Sequence, residues 1–303
     1  MSKKIVPIVA LFGVFFLFMC NRKSEAGPAN ETILTGETSM LVDETLSPIV
    51  EDVLAVFESQ YNAKINLIPK SENEALQSFF KDSAKVIIMS RDLNAEEKKF
   101  FDSKKRYPKS TKFATDAIAL IGSKGNDSIV ALQDVVDFMK GKSVSGIKGM
   151  VFDNPNSGTV RFMNELSGIS ALPEKNVYSF KTNSEVIKFV SENPGMIGVV
   201  GINWVLQPTQ ELESYLKKIN VLSVKGLSSV KFVSPTQNNL AEGTYPLARD
   251  LYIVNAQGYE GLGMGFASFI AGERGQRIIL KSGLLPVRIP SRKIVIKKEE
   301  KTQ

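Results

Sequence analysis

Leu46, Ile49, Val50, Val53, Leu54, Phe57 and Tyr61 recur at three- and four-residue steps, the spacing of a helix with one buried face. Ser47 and Pro48 at the head of this run predict a serine N-cap followed by proline in the first turn. Glu37 to Asp43 (ETSMLVD) before it and Lys64 to Ile68 (KINLI) after it read as strands. Ser71, with Glu74 three residues on, is a capping box that opens a helix carrying Leu76, Phe79 and Phe80. Lys85 to Met89 (KVIIM) is apolar after its lysine, as expected of a strand covered by helices on both faces. Asn94 and Glu97 repeat the capping pattern for another helix. Strand and helix alternating at these lengths predict a parallel α/β sheet with right-handed crossovers.

The second half continues the alternation. A strand over Phe113–Ile121 precedes a helix around Leu132–Lys140 that Gly141 stops, and Lys148–Asp153 reads as a strand again. Ser184 starts a helix bearing Val186, Ile187, Phe189 and Val190, and Met196–Val200 is a buried strand between glycines. Tyr245–Val254 reads as a strand leading back toward the first half, and one long helix is expected from Gly263 to Leu280. Gly261, Gly263 and Gly265 follow no βα turn, so they fit close approach of the last helix to a neighbour better than a nucleotide loop.

Composition narrows the chemistry. The chain has 303 residues, enough for one large or two medium lobes. It has no histidine, which excludes Ser-His-Asp triads, Cys-His pairs and HExxH zinc sites. No catalytic constellation, metal site or cofactor is expected. A formal charge of +6, evenly spread, is too mild to argue for nucleic acid. Lys3 and Lys4 precede an uncharged stretch from Ile5 to Met19 that ends at Leu17-Phe18-Met19-Cys20. That stretch is short for a membrane span and suits a signal segment over residues 1–19. Its end resembles a bacterial lipobox, although Met19 departs from the usual small residue; Cys20 would then be lipidated and residues 21–36 form a polar tether. The alternative is a plain signal anchor with an incidental cysteine.

In parallel α/β sheets ligands bind beyond the carboxyl ends of the strands, at helix N-termini. The rule points to the loops Asp43–Ser47, Ser90–Asn94 and Asp153–Thr159. Ser157-Gly158-Thr159 at a helix start suits an oxyanion, with Thr45, Ser90 and backbone N–H groups from the other loops. Arg91 is the expected cation, and Arg161 a second one if it points inward. Each hydroxyl could equally be a plain helix cap. Trp204 is expected to fill core or lobe interface, and residues 293–303 to form a charged tail.

DETLSPIV, MSRDLNAEE, DAIALI, NSGT, GMIGVVG, YPLARDLYIV and FIAGERGQRIILKSGLLP, in this order, resemble the PstS-like phosphate-binding proteins that serve ABC transporters, most of all the lipoproteins of Bacteroidetes. The resemblance runs from about Glu37 to Pro290. It implies a two-lobed α/β fold of the periplasmic-binding-protein type II, with a central, mostly parallel sheet in each lobe. Residues 37–118 and 246–292 would form one lobe and 119–245 the other, joined by two crossing strands. It further implies a monomer outside the cytoplasm, anchored to a membrane through Cys20, that clamps a phosphate-like anion and delivers it to a permease. The ligand residues carried over are Glu44, Thr45, Ser90, Arg91, Asp153, Ser157, Gly158, Thr159 and Arg161. Asp153 stands where the phosphate binders have an arginine, and Glu44 joins the hydroxyl loop. At about 5 Å and an effective dielectric of about 20, each like-charge pair with an anion costs roughly 3 kcal/mol. Asp153 or Glu44 could instead take the anion's own place at the helix dipole, favour a ligand carrying an amine, or, for Asp153, simply pair with Arg91.

Overall fold

In the computed structural model, which describes residues 30–125 and 127–289, the first half alternates as its sequence predicts. Strand β1 (Gly36–Asp43) leads to helix α1 (Ser47–Gln60), β2 (Ala63–Lys70), α2 (Glu72–Phe80), β3 (Val86–Met89), α3 (Ala95–Ser103) and the long strand β4 (Lys109–Ser123). The second half holds β5 (Ile129–Ala131), α4 (Leu132–Met139), β6 (Gly149–Phe152), α5 (Gly158–Ser167), β7 (Val177–Ser179), α6 (Asn183–Glu192) and β8 (Met196–Gly201). Short elements follow: α7 (Asn203–Leu206), α8 (Glu213–Leu216), β9 (Ile219–Val221), β10 (Ser223–Lys225), β11 (Phe232–Val233) and α9 (Gln237–Ala241). The chain then returns through β12 (Ala248–Asn255), α10 (Leu262–Ala271), α11 (Glu273–Lys281) and β13 (Leu285–Pro286).

The main sheet is continuous, in the order β2-β1-β3-β12-β4-β8-β6-β7. Its two outer sets, β2-β1-β3 and β8-β6-β7, are parallel. Antiparallel pairing within it is confined to the partners of β4 and β12. The expectation of a mostly parallel sheet in each lobe thus holds for the outer strands, while the middle is mixed. β4 is the bridge. Its first part, Lys109 to Ala117, pairs with β12, and Ile118 to Gly122 pairs with β8. At about 3.4 Å per residue a 15-residue strand is long enough to belong to both lobes. Every residue of β3 is buried, as are the last four of β1, so the carboxyl ends of these strands deliver their loops to an interior boundary.

Three local expectations change. Ser47 is not a side-chain cap: its hydroxyl is buried and has no hydrogen-bond partner among the described residues. A 3-10 turn, Glu44–Leu46, precedes α1, and Asp43 caps it by accepting the Thr45 N–H at 3.1 Å. The last helix is two helices, broken at Gly272, which is extended (ψ 172°). A Cβ on Gly275 would lie 2.5 Å from Ile270 Cα, so the corner is held by backbone contact that periodicity cannot register. The tether expected to Gly36 is part of the fold from its last residues onward. Glu31 accepts the Leu262 N–H at 2.8 Å, and a Cβ at Gly265 would collide with the Ile33 carbonyl. The signal segment, Cys20 and the charged tail lie outside the described residues.

Candidate functional site

The loops that the strand-end rule selects meet between the lobes. From the β2-β1-β3 side of the sheet come Asp43, Glu44 and Thr45 after β1, Glu72 at the first turn of α2, and Ser90 and Arg91 after β3. From the β8-β6-β7 side come Asp153, Ser157, Gly158 and Thr159 around the start of α5, and Asn183 at the start of α6. Asp43, Thr45, Asp153, Thr159 and Asn183 are fully buried. Hydrogen bonds join the two sides. Asn183 Nδ2 donates to both Glu44 Oε2 and Asp153 Oδ2 at 3.1 Å. The Thr45 carbonyl accepts from Asn203 Nδ2 (3.2 Å) and from Trp204 Nε1 (3.0 Å). Trp204 is therefore a lobe-interface residue, its indole N–H engaged as a buried tryptophan requires.

Ser157 caps α5 by accepting the Val160 N–H at 3.2 Å, and its own hydroxyl donates to Asp153 Oδ1 at 2.5 Å. This answers one question about Asp153. It pairs with neither Arg91 nor Arg161; it lies beneath the helix start, held by Ser157 and Asn183. Burial raises its pKa to about 6, against the hydrogen bonds from Ser157 and Asn183 and the nearby Arg249. Burial likewise raises Asp43 to about 7, reinforced by Glu72 and Asp153, and Glu44 to about 8, reinforced by Asp153. These carboxyls therefore titrate around neutrality, and near pH 6 Asp43 and Glu44 largely hold their protons.

The cation at the centre is one that the loops did not indicate. Arg249, in β12, is 4% exposed. It donates to Thr159 Oγ1 (3.2 Å), to Thr45 Oγ1 (3.5 Å), and twice to Asp116 Oδ2 (3.0 and 3.2 Å). Burial raises the Asp116 pKa despite this partner. The only sequence signal for Arg249 was an Arg-Asp pair inside an otherwise apolar strand. Arg91 and Arg161 lie at the rim. Arg91 is gripped bidentately by Glu97 at 2.7 Å and also donates to Glu72 at 3.2 Å. Arg161 does turn inward, donating to Glu72 Oε1 at 2.6 Å. Glu72, which helix-capping logic assigns only to a first turn, was missed for that reason.

A family model described as a PBP superfamily domain matches residues 27–274. The chain belongs to that superfamily, and within it is PstS-like. The phosphate-binding protein PstS of Borreliella burgdorferi is 24% identical over 310 residues, covering 94% of this chain and 99% of the relative. Among solved structures, a protein assigned as a phosphate ABC transporter substrate-binding protein from Clostridium perfringens, with bound phosphate, is 21% identical with a TM-score of 0.70. It covers 84% of this chain and 100% of its own. An ABC-type phosphate transport receptor from Vibrio cholerae is 16% identical with a TM-score of 0.62, over 83% and 100%. At these identities the structural likeness shows the two-lobed fold. Among the described residues no helix is long and apolar enough to cross a membrane.

Proposed function

We propose that this protein binds a small oxyanion, phosphate or its like, between two lobes outside the cytoplasm and delivers it to an ABC permease, tethered to a membrane by a lipid on Cys20. In this reading residues 37–118 with 246–292 form one lobe and 119–245 the other. One observation carries it. Thr45 from lobe 1 and Thr159 from lobe 2 both present hydroxyls to the buried Arg249 guanidinium, beside the first turn of α5. A guanidinium, hydroxyls from opposite lobes and a helix N-terminus together form an anion site that is complete only when the lobes close. The names of the PstS relatives support the choice of phosphate. Thr45, Ser90, Ser157, Gly158 and Thr159 are assigned to the ligand, with Arg249 as its cation; Glu44 and Asp153 tune the charge, and Arg91 and Arg161 act at the rim.

Titration calorimetry at low salt with phosphate, sulfate, molybdate and amino acids tests the proposal. Phosphate should bind with a Kd below about a millimolar, a free energy beyond roughly −4 kcal/mol. No heat from any oxyanion at that level removes this reading. A second reading is a sensor or scaffold that keeps the fold without transport. It is favoured by one fact: Asp43, Glu44 and Asp153 all stand in the site. Binding of an amine-bearing ligand, with no oxyanion bound, would select it.

A further inference from the structure

The Glu72 carboxylate has the environment of a bound ligand. Its Oε1 accepts from Arg161 Nε at 2.6 Å and Arg91 Nε at 3.2 Å; its Oε2 accepts from Ser90 Oγ at 3.0 Å and Arg161 Nη2 at 3.4 Å. The side chain is 3% exposed. Burial works against its charge, but Arg161 and Arg91 outweigh burial and hold it below the usual glutamate range. Glu72, Ser90 and Arg91 are on lobe 1, whereas Arg161 projects from α5 of lobe 2. The group is pressed against the start of α5. A Cβ on Gly158 would meet Ser90 Oγ at 2.5 Å, and Asp43 Oδ2 and Glu72 Oε2 at 2.6 Å. That Asp43 oxygen is fully buried, has no hydrogen-bond partner among the described residues, and faces the same point. Two cavities, of about 400 and 330 Å³, flank the clamp, and both are lined by Arg91 and Arg161. Glu72 itself lines the smaller of the two, so a displaced carboxylate has room to turn outward there.

We propose that Glu72 is a tethered occupant of the oxyanion grip: its carboxylate holds the lobes closed through Arg161, and a ligand anion gains the full grip only by displacing it. Glu72 thereby sets specificity. A weakly basic or singly bonded anion does not compete with a carboxylate already held by two arginines and a serine. A tetrahedral oxyanion able to engage Ser90, both arginines and the α5 N-terminus does. The displacement half rests on the anion-binding reading above; the closure half does not.

Hydrogen exchange of the full chain, followed by mass spectrometry in phosphate-free buffer, tests both halves. In Glu72→Gln, exchange should rise at least about tenfold over residues 70–75 and 154–160, with β1 and β2 unchanged. Arg161→Gln, which leaves Glu72 with Arg91, should open the same segments. Unchanged exchange there in either variant overturns the proposal, as does faster exchange that spreads through β1 and β2. Millimolar inorganic phosphate should restore protection in Glu72→Gln, and calorimetry should show it binding at least about tenfold tighter than to the wild type. Equal or weaker affinity in Glu72→Gln overturns the displacement half. Opening of the variant with no phosphate binding to either form upholds the latch and removes the oxyanion reading instead.

Discussion

Arg249 shows how much a single residue can hold in this fold. It neutralises the fully buried Asp116 and bridges Thr45, in the turn after β1, to Thr159, at the start of α5. Arg249→Ala leaves the buried Asp116 carboxylate without its cation, holding only the Ala117 N–H, which costs about 3 kcal/mol or more. Because burial already raises the Asp116 pKa, that carboxylate can escape the penalty by taking a proton. The loss, measured by urea unfolding, should therefore be larger at pH 8 than at pH 5; a cost independent of pH would show that Asp116 is rehydrated in the variant. Thr45, Ser90, Ser157 and Thr159 were legible because hydroxyls at strand ends and helix starts have a recognisable pattern. Arg249 and Glu72 were not, since one sits in a strand and the other in a capping turn, and their roles depend on partners 133 and 89 residues away.

Among the elements, α5 carries most of the site. Its N-cap Ser157 serves the helix and Asp153 at once. Ser157→Ala should cost about 1–2 kcal/mol for the lost cap, with a further loss because Asp153 keeps only Asn183 as a side-chain hydrogen-bond donor. Asn94, the cap of α3, accepts from the Glu96 and Glu97 N–H groups at 3.0 and 2.9 Å, and its side chain is exposed. Asn94→Ala should thus cost about 1 kcal/mol and leave oxyanion affinity unchanged, whereas Ser157→Ala lowers both stability and affinity. Denaturant unfolding beside calorimetry separates the two, and equal effects on binding would place Ser157 outside the site. The helix starts were readable from capping residues. The break at Gly272 and the turn ahead of α1 were not, because short-range contacts of Gly275 with Ile270 and of Thr45 with Asp43, which hydrophobic periodicity does not register, decide them.

For the whole molecule, closure buries three carboxyls whose pKa values rise to about 7, 8 and 6 at Asp43, Glu44 and Asp153. In the unfolded chain these groups titrate near pH 4. Between the two ranges the folded state binds more protons, so stability falls as pH rises. The decline should begin above about pH 4 and level off above about pH 8, once the folded carboxyls are ionised. Glu72 and its arginines act oppositely: its lowered pKa means stability present above the unfolded glutamate pKa and lost in acid. A melting temperature that peaks near pH 5 and falls steadily toward about pH 8.5 is expected. Glu44→Gln should flatten the alkaline limb; an unaltered slope would show that Glu44 stays exposed in solution.

The sequence by itself determined the alternation of strands and helices and the loops that would face a ligand, because these follow from local periodicity, capping and turn chemistry; the two-lobed family came only from the resemblance of its ordered motifs to known proteins. Only the tertiary structure decided which charges meet. Asp153 sits beneath its helix, Arg249 supplies the central cation, and Glu72 fills the grip that Arg91 and Arg161 were expected to offer a ligand. Such pairings form between residues far apart in the chain, where burial and distance, not spacing, set the energy.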